Sequence, residues 1–585
     1  MRLFDILYQF DSKYPKADAL NKKENGKWIS YSTKDFVDYS ENLAYGLLSL
    51  GVQREDKIAI LANNRPEWNF TDMAVQMSGC ILIPIYPTIS EKDLEFILKD
   101  AEVKYVFVSA EDIYNKVKAV SANVPSVKDI YTFNNFSGAK HFTDLVEQGK
   151  KNQDEAKLKS IKDSIKENDL ATILYTSGTT GTPKGVMLSH KNIFSNVYAV
   201  RNLPPVDHND RCLSFLPLNH IYERMLQTMI MYLGVSTYYA ESLETIGDNL
   251  REIKPQVFSC VPRLLEKVYD RIVSKGNELT GIKRKLFFWA LALGEKFDGV
   301  GKGGWWYNFQ LRLANKLIFS KWREALGGNV RAAVSGGAAL NPRLARIFWS
   351  AQIPILEGYG LTETSPVIAV NTLEKDGMKF GTVGKVIEEV TVKIAEDGEI
   401  LCKGPNVMLG YYKRPDATAE VIDKDGWFHT GDIGIMEEGK YLKITDRKKE
   451  IFKTSGGKYI APQMIENKIK ECGLVEQVMV IGENQKYASA LIVPSFVKLK
   501  AKYEKEGIPY PGNEEAIKNP EVRKIIQGHI ETMNKSLAQY ESIKKFELLS
   551  KDWTVDGGEM TPKLSLKRKV ILQANQNLVG KIYNE

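Results

Sequence analysis

Cysteine is scarce in this chain. The 585 residues hold five (Cys80, Cys212, Cys260, Cys402, Cys472), an odd number, scattered and never spaced Cys-x-x-Cys. That pattern argues against a disulfide framework or a zinc site and suits a reducing, cytoplasmic setting. Long apolar runs are also missing, so no stretch of about eighteen apolar residues is available to span a membrane. The first residues, Met1-Arg2-Leu3-Phe4-Asp5, lack the basic region and apolar run of a secretory leader. Internal repeats and long low-complexity segments are absent, which sets aside solenoids and disordered arrays. Excess charge is small, a net +7, with 43% hydrophobic and 26% charged residues, the balance of an ordinary globular protein. At this length one hydrophobic core does not suffice, and at least two domains are expected.

What the chain does have is a loop unlike its surroundings. Residues 175–185 read Tyr-Thr-Ser-Gly-Thr-Thr-Gly-Thr-Pro-Lys-Gly, between an apolar run at Leu170 to Leu174 and another at Val186 to Leu188. Hydroxyls, glycines and one lysine cannot build a core, but they can wrap a polyphosphate. Glycines let backbone N–H groups turn inward, hydroxyls donate to phosphate oxygens, and Lys184 adds positive charge. A Walker A loop is ruled out: counting from Gly178, its second glycine would fall on Pro183, and Lys184 is followed by Gly185.

The first 125 residues alternate helical and strand patterns. Phe36 to Leu50 reads as a helix closed by Gly51, Lys57 to Leu61 as a strand, Glu67 to Gly79 as a helix. Ile81 to Tyr86 and Lys104 to Ser109 read as strands around a helix from Glu91 to Lys99. This rhythm predicts the α/β class, sheets covered by helices. Lys150 to Asp169 is polar and reads as a solvated helix or linker. Between Gly384 and Gly434, short runs broken by Asp-Gly and Gly-Pro predict a small β-rich unit. After Asp446 the pattern mixes again, predicting a smaller, mobile α+β domain.

Further motifs follow the first loop in order. They are Tyr359-Gly360-Leu361-Thr362-Glu363-Thr364, Gly426-Trp427-Phe428-His429-Thr430-Gly431-Asp432, Asp446-Arg447-Lys448-Lys449 with Gly456-Gly457-Lys458, and Pro562-Lys563-Leu564-Ser565-Leu566-Lys567-Arg568. Together with the first loop they resemble the adenylate-forming superfamily of acyl-CoA synthetases, luciferases and peptide-synthetase adenylation domains. The resemblance covers essentially the whole chain. It implies a domain from 1 to 446 that binds ATP and the acid, and a mobile domain from 447 to 585 hinged at Lys449.

What the resemblance implies for single residues is specific. Thr176, Ser177, Gly178, Thr179, Thr180, Gly181 and Lys184 would hold the β- and γ-phosphates. Glu363 would be the magnesium ligand and Thr362 the hydroxyl at the α-phosphate. The turn Gly336, Gly337, Ala338 would lie on one face of adenine, with Tyr359 and Gly360 on the other. Asp432 and Arg447 would take the ribose. Lys567 would serve the adenylation step, with Lys563 and Arg568 as rivals because the spacing of this motif is altered. Gly456 and Gly457 would serve coenzyme A.

Leu216 to Arg224, Val261 to Lys267 and Leu317 to Arg323 resemble the long-chain fatty acid–CoA ligases within that superfamily, with His220 and Tyr222 at the acyl entrance. A fatty-acyl-AMP ligase loading a carrier protein, and a catalytically dead lipid-binding or scaffold protein, remain as alternatives.

One window stands apart. Lys275 to Glu324 holds ten Lys/Arg against four Asp/Glu, and ten aromatics including Trp289, Trp305, Trp306 and Trp322. It supports two readings: peripheral contact with an anionic membrane, or an amphipathic hairpin (Phe287 to Leu293, Phe309 to Phe319) packed on its own domain. No recognised nucleic-acid-binding module accompanies it, and a homodimer stays open.

Overall fold

The computed structural model describes residues 1–177, 182–242, 244–554, 557–560 and 566–584. It divides into two compact units. Met1–Lys393, Leu401–His429 and Glu437–Leu442 form one, and Ile394–Ile400, Thr430–Met436 and Lys443–Glu585 the other.

The larger unit is built on two sheets that are nine- and eight-stranded among the described residues. Predicted elements appear close to where periodicity put them. Thr33–Ser49 is a helix because Ser32 and Asp35 cap each other: the Ser32 hydroxyl accepts from the Asp35 N–H at 3.0 Å, and the Asp35 carboxylate accepts from the Ser32 N–H at 2.8 Å. It stops at Gly51, whose φ of 77° few other residues adopt cheaply. Lys57–Leu61, Ile81–Pro84 and Val103–Val108 are parallel neighbours, buried on both faces as continuous apolar strands should be. The polar stretch after Lys150 holds a helix, Glu155–Ser164, with only Leu158 buried.

In the nine-stranded sheet, Val257–Cys260, Ala332–Ser335 and Ile355–Gly360 run parallel side by side. Their carboxyl ends therefore deliver the Ser335–Ala338 turn and the Tyr359 motif to the same edge, the usual place for a ligand in such sheets. In the eight-stranded sheet, Leu170–Ser177 and Pro183–Ser189 form the antiparallel pair that flanks the phosphate-loop motif.

The smaller unit has its own core around the sheet Val475–Ile481, Ala488–Pro494 and Ile543–Leu548. Helices Pro462–Ile469 and Pro520–Asn534 cover it through Ile465, Ile469, Ile526 and Ile530.

Candidate active site

In the larger unit the site begins with a lysine, a tyrosine and a glutamate. Thr176 and Lys184 face each other across the Leu170–Ser177/Pro183–Ser189 ladder. Gly178, Thr179, Thr180 and Gly181, between these strands, lie outside the described residues, as does the side chain of Ser177. The segment 408–412 binds this ladder on its other edge: Leu409 N–H donates to Met187 O at 3.0 Å and Tyr412 N–H to Gly185 O at 2.7 Å. The same segment holds the Thr362 motif, because Met408 N–H donates to Glu363 O at 2.8 Å. Tyr411 thereby stands between the two. Its hydroxyl donates to Glu363 Oε1 at 2.9 Å, and the Lys184 ammonium lies 5.2 Å from its ring centroid. Burial first, then the Glu363 charge, drives the Tyr411 phenol well above its ordinary pKa, so it stays a donor.

The Thr362–Thr364 turn follows the strand Ile355–Gly360 directly. Gly360 is there for a steric reason: a Cβ would sit 1.7 Å from Pro366 O. Thr362 is buried, and Tyr359 and Glu363 are half-buried.

Beside this lies the 335–338 turn. Gly337 has φ 81°, and a Cβ on Gly336 would meet the Tyr222 ring at 3.1 Å. Tyr222 is fixed from two sides. Its hydroxyl donates to Val334 O at 3.0 Å, while its N–H is capped by His220 Nδ1 at 3.0 Å. His220 is thus the N-cap of the helix Ile221–Tyr232.

Two buried carboxyls brace this region. Glu357 accepts from Leu340 N–H at 2.9 Å, and burial pushes it up to about 8. Glu223 accepts from the Ser214 and Ser259 hydroxyls, each at 2.5 Å, and burial raises it as well.

The smaller unit carries a second group. Arg447 Nε lies 3.7 Å from Asp432 Oδ1. Asp432 N–H donates to Thr430 Oγ1 at 3.1 Å, the turn chemistry expected of a Thr-Gly-Asp corner. Next to it Glu399 accepts from Gly431 N–H at 2.9 Å and pairs with Lys448 at 2.8 Å, while Lys448 also reaches Asp397 at 2.6 Å.

Asp446 precedes the predicted hinge. It accepts from Arg447 N–H at 2.6 Å and Gln463 N–H at 3.2 Å, and burial raises it to about 7. Lys449 is exposed in the turn that follows. Gly456 and Gly457 make the turn between Phe452–Lys453 and Tyr459–Ile460, with Gly457 at φ 78°.

Lys567 is exposed and its N–H donates to Glu559 O at 2.8 Å, immediately before the helix Arg568–Ala574. Its rival Arg568 is engaged elsewhere: it is largely buried and pairs with Glu466 at 2.5 Å and Glu450 at 3.2 Å. Lys563 lies outside the described residues.

Among the described residues no group of three or more His, Cys, Asp or Glu is arranged to hold a metal. Glu363 alone fits a magnesium ion shared with substrate phosphates, since that ion takes one or two carboxylates and keeps phosphate and water for the rest.

In the larger unit, loops at the carboxyl edge of a parallel sheet lie with a lysine and a carboxylate that meet through Tyr411; the smaller unit holds the Asp432–Arg447 pair. The profile of AMP-binding enzymes matches residues 7–412, and that of the AMP-binding enzyme C-terminal domain matches 449–585. The chain belongs to the AMP-binding enzyme family.

Among its relatives, a long-chain-fatty-acid–CoA ligase of Mycobacterium bovis is 33% identical over 590 residues, covering 99% of this chain and 96% of that protein. Long-chain-fatty-acid–CoA ligase 1 of Homo sapiens is 32% identical over 600 residues, covering 95% of this chain and 82% of that one. Solved structures share the fold. A Mycobacterium tuberculosis fatty acyl CoA synthetase aligns with a TM-score of 0.64 at 21% identity over 98% of both chains. The adenylation domain of a carboxylate reductase from Mycobacterium chelonae aligns at 0.76 and 21%, over 100% of this chain and 91% of that one.

Proposed function

We propose that the protein is a long-chain fatty acid–CoA ligase of the AMP-forming kind. Its full-length similarity to long-chain ligases, 32–33% over 95–99% of the chain, carries this reading. A carboxylate oxygen of the acid attacks the α-phosphorus of ATP and displaces pyrophosphate, giving acyl-AMP. The thiol of coenzyme A then attacks the acyl carbon and displaces AMP. The first step crowds negative charge, and its catalysis is positioning plus charge neutralisation.

The roles follow from that chemistry. Lys184, Thr176, Ser177 and the loop from Gly178 to Gly181 take the β- and γ-phosphates. Thr362 meets the α-phosphate, and Glu363, steadied by Tyr411, is the protein ligand for a magnesium ion that neutralises the triphosphate. Gly336, Gly337, Ala338, Tyr359 and Gly360 enclose the adenine. Asp432 accepts from the ribose hydroxyls and Arg447 donates to a ribose oxygen. Lys567 stabilises the carboxylate–phosphate transition state, a role favoured by the engagement of Arg568 with Glu450 and Glu466. His220 and Tyr222 flank the acyl entrance.

On this reading residues 1–446 serve the nucleotide and the acid, although 394–400, 430–436 and 443–446 pack in the smaller compact unit, and residues 447–585 are a domain that turns about Lys449 to bring Gly456 and Gly457 to the thiol. No helix among the described residues is long and apolar enough to cross a membrane; contact with an anionic membrane is proposed as peripheral. A homodimer is the competing use of an exposed apolar surface.

The test is pyrophosphate release and acyl-CoA formation with acids of graded length. Each buried methylene contributes about 0.8 kcal/mol, so a long-chain site should separate medium from long chains steeply. Maximal turnover with acetate or butyrate would refute the long-chain reading. An acyl-AMP product that coenzyme A does not discharge would refute the CoA step.

A further inference from the structure

One helix of the larger unit turns an apolar face outward. In Trp305–Ala314 and the π-turn Asn315–Phe319 that continues it, Trp305 is 80% exposed, Trp306 56%, Phe309 54%, Leu313 40% and Leu317 41%. Spacings of three and four residues bring these side chains onto one stripe, running roughly 20 Å at 1.5 Å per residue. Trp306 stacks on Phe309 with ring centroids 5.6 Å apart, and Trp305 meets Trp306 edge-on at 5.5 Å.

The opposite face is locked down. Ala314 and Phe319 are buried, Leu311 and Ile318 pack on the same core, the Tyr307 hydroxyl donates to Leu293 O at 2.9 Å, and Asn315 Nδ2 donates to Ser350 O at 2.8 Å. The helix therefore cannot roll its tryptophans inward without breaking its own seat.

The charges within the stripe's own segment have one sign. From Gly299 to Arg323 the chain carries Lys302, Arg312, Lys316, Lys321 and Arg323 and not one Asp or Glu. The first four of these are exposed. The acids just before, Glu295 and Asp298, are paired with Arg343 at 2.5 Å and Arg346 at 2.8 Å. Glu324, just after, is exposed beside Arg323.

A contiguous exposed apolar patch marks an interaction surface. Amphipathic indoles interleaved with the exposed Lys302, Arg312, Lys316 and Lys321 match the interface of an anionic bilayer, where rings sit at headgroup level and Lys/Arg meet lipid phosphates. A second copy of the same face would bring like charges together.

We infer that the Trp305–Leu317 face is a membrane-docking surface, seated in the headgroup region of an anionic bilayer. It narrows the sequence-based expectation, which took the whole Lys275–Glu324 window, to one face of one helix. Here the stripe does the inserting, and Lys302, Arg312, Lys316 and Lys321 supply the attraction.

The experiment sediments the full chain with vesicles of phosphatidylcholine alone and of phosphatidylcholine with phosphatidylserine. Binding should be at least about tenfold stronger to the anionic vesicles and fall with salt. Trp305→Ser/Trp306→Ser/Phe309→Ser and, separately, Lys302→Glu/Arg312→Glu/Lys316→Glu should each weaken it at least about tenfold, whereas Lys283→Glu/Arg284→Glu/Lys285→Glu should weaken it less. Turnover of a soluble medium-chain acid should be unchanged in every variant, which reports the fold. Brominated lipid should quench tryptophan emission in the wild type and much less in the Trp305/Trp306 variant.

Equal binding to both vesicle types, or vesicle binding untouched by the serine variant, would overturn the proposal. So would light scattering that shows a dimer which the serine variant dissolves, because the face would then be an interface between copies.

Discussion

Tyr411→Phe isolates one atom of the proposed site. The ring stays, and with it the edge-strand pairing of Gly410–Tyr411 and the seat of the Lys184 ammonium, so the fold should not change. What goes is the phenol O–H that donates to Glu363 Oε1 at 2.9 Å. A hydrogen bond to a charged group contributes about 1.5–3 kcal/mol. At about 1.4 kcal/mol per decade, losing it should slow adenylation by roughly 10- to 100-fold in kcat/KM.

The direction of the secondary effects is also fixed. Glu363 loses the bond that holds its carboxylate in one rotamer, so the variant should need more magnesium to reach half-maximal rate. The assay is fatty-acid-dependent exchange of labelled pyrophosphate into ATP across a magnesium series, with thermal melting as the control for fold. Thioester formation from presynthesised acyl-AMP should be spared, because no triphosphate is present in that step. A Tyr411→Phe protein that exchanges pyrophosphate within twofold of wild type, with the same magnesium dependence, would refute the reasoning.

Three further predictions address the rest of the site. Lys567→Ala should reduce acyl-AMP formation by about 10²–10³-fold while leaving thioester formation from supplied acyl-AMP near wild type, and Lys449→Pro should show the reverse; equal loss in both half-reactions would defeat the alternating use of one site. Asp446 is raised by burial from 3.8 to about 7, so the folded state holds its proton longer than the unfolded state and stability falls as pH rises from about 4 to about 7. Asp446→Asn should therefore match wild type near pH 4 in denaturant titrations and gain on it up to pH 7; a constant difference across that range would disprove the assignment. Gly360→Ala should lower the melting temperature and impair adenylation, since its Cβ would press on Pro366 O and the backbone must move, a change that typically costs about 1–3 kcal/mol.

Much of this was legible before any coordinates. Lys57–Leu61 is a strand with the limits that its apolar run suggested, because a strand buried on both faces has little choice of residue. Helix limits shifted by a few residues where a cap outside the periodic run decided them, as Ser32 did for Thr33–Ser49. Motif residues were legible as a set, but their partners were not. Tyr411 sits in an unremarkable Gly-Tyr-Tyr and gains its meaning only from Glu363, 48 positions away. Glu357 reads as one more charged residue, yet it is buried with Leu340 N–H as its donor. Arg568 looked equivalent to Lys567 as a cation, and its engagement depends on Glu466, 102 positions distant. Such pairings are set by the topology of the sheets, which periodicity does not encode. The basic-aromatic window was visible as composition, but which of its rings face outward depended on how the helix from Trp305 is seated.

On the proposed roles, Tyr222 would tie two substrates together. One end of this side chain belongs to the helix at the proposed acyl entrance, and its ring and hydroxyl support the glycine turn proposed for adenine. Any smaller residue chosen to admit a bulkier acid would also withdraw the support beneath Gly336 and the bond to Val334. Acid preference and ATP affinity at this position are then not separately adjustable. Variation that retunes the acid with the nucleotide site intact has to come from other residues, and a change at Tyr222 that persists should be accompanied by a compensating change in the 334–338 turn.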